Sequence, residues 1–247
     1  MKPNAIVKSK TNLPAAFNGT RVFPPLALCR QVKTILREGR INLVLDVGAF
    51  RGDYCRMLRD RIGYKGAIVS FEPSAASFRI LKATMKGDRA WRGFPVGLSD
   101  RCGAAILNNY PRREMFNSIL TLRKRDARNY DVNLADRFPE RIRLQTIEQL
   151  WIEITDGIGS PRVFAKMDTQ GHDIAVIRGA IDYLRYFVGM QSELPVIDIY
   201  DGMVPMHKAL VFYRKLGFAP IGFYPVNTPS AYGGISPEFD VVFKMLD

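Results

Sequence analysis

The sequence predicts an α/β fold: a mostly parallel sheet with helices on both faces. Three observations carry that reading. Apolar runs of strand length alternate with helical patterns, which implies parallel strands joined by crossover helices. The run at 41–47 is apolar almost without interruption, as a strand buried on both faces is. At 247 residues, 47% of them hydrophobic and 24% charged, the chain suffices for one large domain with a full core.

The elements follow in order. Residues 1–23 read as a flexible basic arm, and 24–247 as a single domain. A leading helix covers 24–37, with Pro24 and Pro25 in its first turn and Leu28, Val32, Ile35 and Leu36 on its apolar stripe. The first strand is 42–47, followed by a helix over about 54–60. Gly63 and Gly66 punctuate the return to a second strand at 67–71, which Glu72-Pro73-Ser74 ends before a helix reaching Met85. A third strand lies near 90–96. Residues 103–145 are less regular, with short strands expected at 104–108, 118–122 and 141–144, and read as an insertion over the sheet rather than a second domain. Thr146 starts another helix. A fourth strand at 163–167, a helix at 174–185, a fifth strand at 187–193 and a helix at 206–216 come next, and strands at 218–224 and 239–245 close the chain.

Charge and cysteine content narrow the function classes. The 36 basic and 24 acidic residues give a net charge of +12. Part of it lies in the N-terminal arm, which is free of acidic residues up to Glu38. Prolines there and the lack of an amphipathic repeat argue against a transit segment, and an apolar core of about 7–15 residues, needed for a signal peptide, is absent. No apolar run approaches the roughly 20 residues of a membrane span, and three cysteines, odd in number and without ligand spacing, read as those of a reducing compartment, so the expected location is the cytoplasm. A second basic cluster spans 112–143; a solvated face is its preferred reading, with nucleic acid or peripheral contact with an anionic membrane surface as alternatives. Cys29, Cys55 and Cys102 share no ligand spacing, and with two histidines no metal site is expected.

The most informative motif follows the first strand: Asp46-x-Gly48-x-x-x-Gly52. Glycines let a backbone turn sharply and approach a ligand that a Cβ would push away. A pyrophosphate cofactor asks instead for G-x-G-x-x-G and free helix N–H groups. A carboxylate at this turn would repel it and welcome a cation. S-adenosylmethionine carries a sulfonium and an ammonium, so the motif points to a methyl-donor site; a structural Asp capping the next helix is the plainer reading. Glu72, at the neighbouring strand end, is placed to take both ribose hydroxyls by charge-assisted hydrogen bonds. Gly97-Leu98-Ser99-Asp100 lies at the third edge, where Ser99 and Asp100 border the adenine or form a simple turn. The fourth strand delivers Lys166 and Asp168 to the same edge, with Gly171 and His172 beyond, and Asp173 in position to cap the next helix.

Taken together, Leu45-Asp46-Val47-Gly48, Gly52, Phe71-Glu72-Pro73, Gly97-Leu98-Ser99-Asp100, Asn117-Ser118 and 166–173 resemble the FkbM family of S-adenosylmethionine-dependent methyltransferases. Glu193, Ile199-Tyr200-Asp201 and Phe239-Asp240-Val241-Val242-Phe243 extend the resemblance over about 40–245. The family pattern at the fourth strand is K-x-D-x-x-G-x-E. This chain has Asp173 where the Glu stands, which weakens a direct ligand role there and leaves capping intact.

The resemblance implies a Rossmann-like class I methyltransferase fold, seven strands with the last antiparallel, and methyl transfer to a hydroxyl. Relatives of this size modify sugars of glycolipids, antibiotics or nodulation lipo-oligosaccharides, and the chain is similar to the last kind, including nodulation fucose 2-O-methyltransferases. The expected cofactor is S-adenosyl-L-methionine and the expected acceptor a small molecule, glycolipid or oligosaccharide.

A hydroxyl nucleophile calls for a general base. Asp168, His172 and Glu193 are the candidates, while Asp46, Gly48, Gly52, Glu72, Ser99 and Asp100 are assigned to the donor. Tyr110, Phe116, Tyr130, Tyr224 and Tyr232 are placed to border an acceptor cleft or to pack loops. Besides a degenerate methyltransferase fold used as a partner-binding subunit, which the retained motifs disfavour, two rival classes remain. One is an RNA or DNA methyltransferase, disfavoured by the lack of an N/D-P-P-Y/F or catalytic Pro-Cys motif. The other is a non-enzymatic nucleotide-binding module, disfavoured by the missing G-x-G-x-x-G.

Overall fold

A computed structural model of the chain describes residues 25–226 and 236–246. The 1–23 arm and Tyr232 lie outside the described residues. Helix α1, Leu26–Glu38, starts behind Pro25 and buries Leu28, Cys29, Val32, Ile35 and Leu36. Leu28 and Val32 are fully buried, worth about 1.5–3 kcal/mol apiece over exposure. Strand β1, Leu43–Val47, is buried at every position. Helix α2, Asp53–Arg56, runs directly into a π-helical stretch at Met57–Ile62 that Gly63 ends in the left-handed conformation.

Strand β2, Ala67–Phe71, helix α3, Ala75–Thr84, and strand β3, Trp91–Phe94, complete the first half. Sequence periodicity placed one strand over 90–96. Pro95 and Val96 instead separate β3 from β4, Gly97–Leu98, which belongs to a different sheet. Strands β5, Gly103–Asn109, and β6, Phe138–Gln145, pair antiparallel, and β4 runs parallel to β6. The expected strand at 118–122 is absent; single bridges tie Ser118 to Asn108 and Leu122 to Tyr200. Inside the basic cluster, Lys124–Asn129 forms helix α4, too short and too polar to show in the pattern.

Thr146 accepts a hydrogen bond from Gln149 N and so caps helix α5, Ile147–Thr155. Strand β7, Val163–Met167, leads to helix α6, Asp173–Arg178. The helix expected to reach 185 stops at Gly179 and resumes as a 3-10 turn, Ile181–Tyr186. A Cβ at Gly179 would stand 2.1 Å from the Ser99 carbonyl oxygen, so close packing fixes that residue type. Strand β8, Phe187–Pro195, helix α7, Met206–Lys215, and strands β9, Phe218–Val226, and β10, Glu238–Met245, finish the fold.

The main sheet has seven strands in the order β3-β2-β1-β7-β8-β10-β9, with β10 antiparallel to both neighbours. One apolar core packs α5, α6 and α7 on one face, and a second packs α1, α2 and α3 on the other. From β1 the chain winds outward to β3 and then returns to β7 on the opposite side of β1. The crevice at such a reversal, outside the carboxyl ends of the strands, is where open α/β sheets bind ligands.

Candidate active site

The turn after β1 is fixed from three sides. Gly48 has φ +72°, and a Cβ there would lie 2.0 Å from the Asp168 carbonyl oxygen, so the ends of β1 and β7 touch only because Gly48 has no side chain. Gly48 N and Ala49 N donate to the Phe71 carbonyl at 3.0 and 3.1 Å, tying the turn to β2. Lys166 Nζ, from β7, donates to the Gly48 carbonyl at 3.1 Å.

Lys166 also stands 3.5 Å from Asp46 Oδ1 and 3.4 Å from Asp168 Oδ2. Burial works against its charge, yet Asp168 and Asp46 outweigh burial and hold its pKa above the ordinary lysine value. Asp46 is completely buried, accepts a hydrogen bond from Cys55 Sγ at 3.2 Å, and lines no part of the cleft. Its role in this arrangement is to anchor Lys166, and the cation-attracting turn read from the sequence is already neutralised from within. Gly52, at φ +88°, faces Leu81 and Thr84 of α3 and makes room for that helix.

Glu72 lies at the end of β2 and lines a cleft of about 280 Å³. Its Oε2 accepts from Phe50 N and its Oε1 from Ser74 N, both at 2.8 Å. Burial pushes its pKa up to about 7 against these two donors. Each carboxylate oxygen has capacity for a further hydrogen bond. Beside Glu72 the cleft is walled by Phe71, Leu98, Leu107, Ile142 and Leu144, so a polar clasp adjoins an apolar slot. That combination suits a nucleoside, ribose hydroxyls on the carboxylate and base against the apolar wall.

Asp168, Thr169, Gln170 and His172 enter the cleft from the β7–α6 turn. Gln170 adopts φ +53° and donates through Nε2 to Asp168 Oδ1 at 2.9 Å and to Glu193 Oε2 at 2.8 Å. Tyr200 Oη donates to Gln170 Oε1 at 2.9 Å, which sets the amide's orientation. His172 Nε2 is 2.9 Å from Ser99 Oγ, and burial lowers its pKa below the ordinary histidine value. Asp173 does not reach the cleft; it accepts from Thr169 N at 3.0 Å and from Ser192 Oγ at 2.7 Å, and braces the turn.

Of the residues singled out in the sequence, Gly48, Glu72, Asp168, His172 and Glu193 are brought together on the cleft, whereas Asp46, Gly52, Ser99 and Asp100 are not part of its lining. Ser99 is buried behind His172, and Asp100 is exposed. Among the candidate aromatics, Phe116 alone of those described lines the cleft; Tyr110 and Tyr130 pack in the insertion, and Tyr224 bonds to Gln31 of α1. Two cleft carboxylates escaped sequence reasoning, Glu114 and Glu238. Glu114 forms an ion pair with Arg51, joining the insertion to the turn after β1. The signal for Glu238 was its alternation with Asp240 on a strand otherwise apolar through Phe243.

Comparison with known proteins identifies a family. The family model described as "Methyltransferase FkbM domain" matches residues 46–200. Among solved structures, the methyltransferase FkbM from Methylobacillus flagellatus KT is similar at 12% identity and a TM-score of 0.50, over 82% of this chain and 43% of that one. The chain therefore spans less than half the length of that protein. The precorrin-6y C5,15-methyltransferase from Geobacter metallireducens GS-15 aligns at 11% identity and a TM-score of 0.47, over 92% of each chain. Aeropyrum pernix fibrillarin, solved with natively bound S-adenosyl-L-methionine, aligns at 11% identity and a TM-score of 0.45, over 82% of this chain and 66% of its own. Among curated proteins no match is found.

Proposed function

The chain belongs to the FkbM methyltransferase family, and from that premise we propose that it methylates a hydroxyl oxygen on a sugar residue of a glycolipid, lipo-oligosaccharide or other glycosylated metabolite. The cofactor is S-adenosylmethionine. In this reading Glu72 holds the ribose, the apolar wall takes the adenine, and the Lys166-braced Gly48 turn borders the methionine portion. When bound, the donor would supply an electrophilic methyl group, its sulfonium sulfur keeping the C–S electron pair. The protein's own part is to position the hydroxyl and remove its proton, which falls to the carboxylates of Asp168 and Glu193 that Gln170 holds together.

One observation carries the choice of acceptor. Glu72, Glu114, Asp168, Glu193 and Glu238 all line the cleft, and its described lining contains no lysine or arginine. A phosphate polymer finds no cationic side chain in that lining to pair with, whereas sugar hydroxyls hydrogen-bond to carboxyl groups whether these are ionised or protonated. Part of the basic surface, moreover, is already paired: Arg113 with Asp131, and Arg123 with Asp201. Among the described residues no helix is long and apolar enough to cross a membrane. Peripheral contact with anionic lipid would bring a lipid-linked acceptor to the cleft.

The test is to supply the purified protein and labelled S-adenosylmethionine with glycolipid and oligosaccharide extracts from a strain lacking the gene, alongside random RNA. Label on a sugar hydroxyl supports the reading. Label on RNA replaces it with the nucleic-acid alternative.

A further inference from the structure

Antiparallel pairing of β8 with β10 sets Glu193 opposite Asp240 and Pro195 opposite Glu238. Glu193 and Glu238 are thus diagonal neighbours on one face of the sheet, a spacing of about 7–8 Å that lies within reach of long side chains. Both line the cleft. Glu238 is 4% exposed, and its Oε1 has no hydrogen-bond partner among the described residues. Glu193 receives one donor, the Gln170 amide. Lys166 makes its contacts with Asp46, Asp168 and the Gly48 carbonyl.

A buried carboxylate oxygen with no donor is costly, and a buried carboxylate beside a half-buried one does not ionise freely while its neighbour is charged. We propose that Glu193 and Glu238 act as one proton-holding pair, which receives the acceptor hydroxyl's proton into a position shared between the two carboxylates. The O–H bond breaks with its electron pair kept by oxygen as that oxygen bonds the methyl carbon. The proton passes to the pair in those molecules where both carboxylates are ionised, a fraction that grows as pH rises through about 8, and it later leaves to solvent. This inference rests on the hydroxyl-methylation reading; it makes the glutamate pair the final proton acceptor, leaves Asp168 to orient the hydroxyl, and makes Glu238 a further catalytic residue.

The surroundings of the pair set its pH range. Asp168 and Lys166 face it from β7 and its turn, Asp173 from α6, Asp240 from β10, and Tyr200 from the segment after β8. Burial, then the charges of Asp168, Asp240 and Asp173, push Glu238 up to about 8. Burial, then Glu238, push Glu193 well above the usual carboxylate range. A pair with so high a proton affinity is a better base for a hydroxyl than a solvated carboxylate is.

The experiment uses the full chain, E193Q and E238Q. The infrared absorption of protonated carboxyl is followed from pH 5 to 9, with calorimetric titration of S-adenosylmethionine alongside. In the unaltered protein a protonated carboxyl should persist above pH 7. Each single replacement should lower the titration midpoint of the remaining glutamate, which loses a like-charged neighbour, while the Glu72 signal near pH 7 stays in place. Donor affinity should change by less than about threefold, and turnover on the glycan extracts should fall about 100-fold in both variants.

If one replacement leaves the other glutamate's titration where it was, the pair is refuted. A 13C-glutamate NMR titration of the unaltered protein decides independently of the variants' folding: two carboxyls that respond to the same titration steps support the pair, and independent curves overturn it. Absence of donor binding in the unaltered protein would instead defeat the methyltransferase reading, which separates the two failures.

Discussion

Lys166 Nζ donates to the carbonyl of Gly48 at 3.1 Å, so a cation at the end of β7 holds the glycine turn at the end of β1. The same ammonium lies between Asp46, which is fully buried, and Asp168, which reaches the cleft. The residue that makes the strand-end motif recognisable therefore contacts Lys166 and is not part of the cleft lining.

Replacing Lys166 with Met should leave Asp46 as an uncompensated buried carboxylate. The expected loss is about 3 kcal/mol of stability, in line with breaking other buried ion pairs. Urea denaturation of K166M measures it, and the double variant K166M/D46N should recover a large part.

Gly48 and Gly52 should respond unequally to alanine. G48A drives a Cβ into the Asp168 carbonyl at 2.0 Å, backbone against backbone, and should abolish donor binding or prevent folding. G52A meets the flexible ends of Leu81 and Thr84 at 3.0 and 3.2 Å, so its cost is chiefly that of the left-handed backbone, about 1–2 kcal/mol. Thermal unfolding and S-adenosylmethionine titration of both variants give the comparison.

Glu72 should make donor binding depend on pH. Its folded pKa, raised to about 7 by burial, lies above its value in the unfolded chain. Stability from this group is thus complete below about pH 4.5 and is lost as pH rises through 7. Donor affinity runs the other way, strengthening as the carboxylate ionises and accepts the ribose hydroxyls. E72Q should flatten both trends and weaken the donor by about tenfold, the worth of a charged hydrogen bond. Calorimetric titration at pH 6 and pH 8 checks the affinity trend, and urea denaturation at both pH values checks the stability trend.

Asp168→Asn should depress turnover by about 100-fold with donor affinity within about threefold. Gln170→Ala should act through position: it unties Asp168 from Glu193, so the acceptor KM should rise and kcat fall together. Gln170→Glu, which retains the length but sets a third carboxylate between two others, should not rescue it.

Much of this was legible in the chain. The β1 and β7 segments are buried on both faces and announce themselves as apolar runs, and the glycine and acidic residues at their ends mark the ligand edge. What escaped depends on contacts distant in sequence. That Asp46 faces Lys166, 120 positions away, follows from the register of β1 with β7 and from no local pattern. Glu238 joins the cleft only because β10 inserts between β8 and β9. Helix α4 and the bridges at Ser118 and Leu122 are short, irregular and governed by packing of the insertion, which leaves little periodicity to read.

The central claim is that a cleft lined, among the described residues, by carboxyl groups and by no lysine or arginine, in a basic protein, directs a methyl group to a sugar hydroxyl. The most direct measurement is mass-spectrometric location of isotope-labelled methyl after the protein is incubated with labelled S-adenosylmethionine, the glycan extracts and random RNA in one reaction. The account predicts label on a sugar oxygen, lost in D168N and E238Q, with RNA unlabelled. Label on RNA, or on a nitrogen of the glycan, would contradict it.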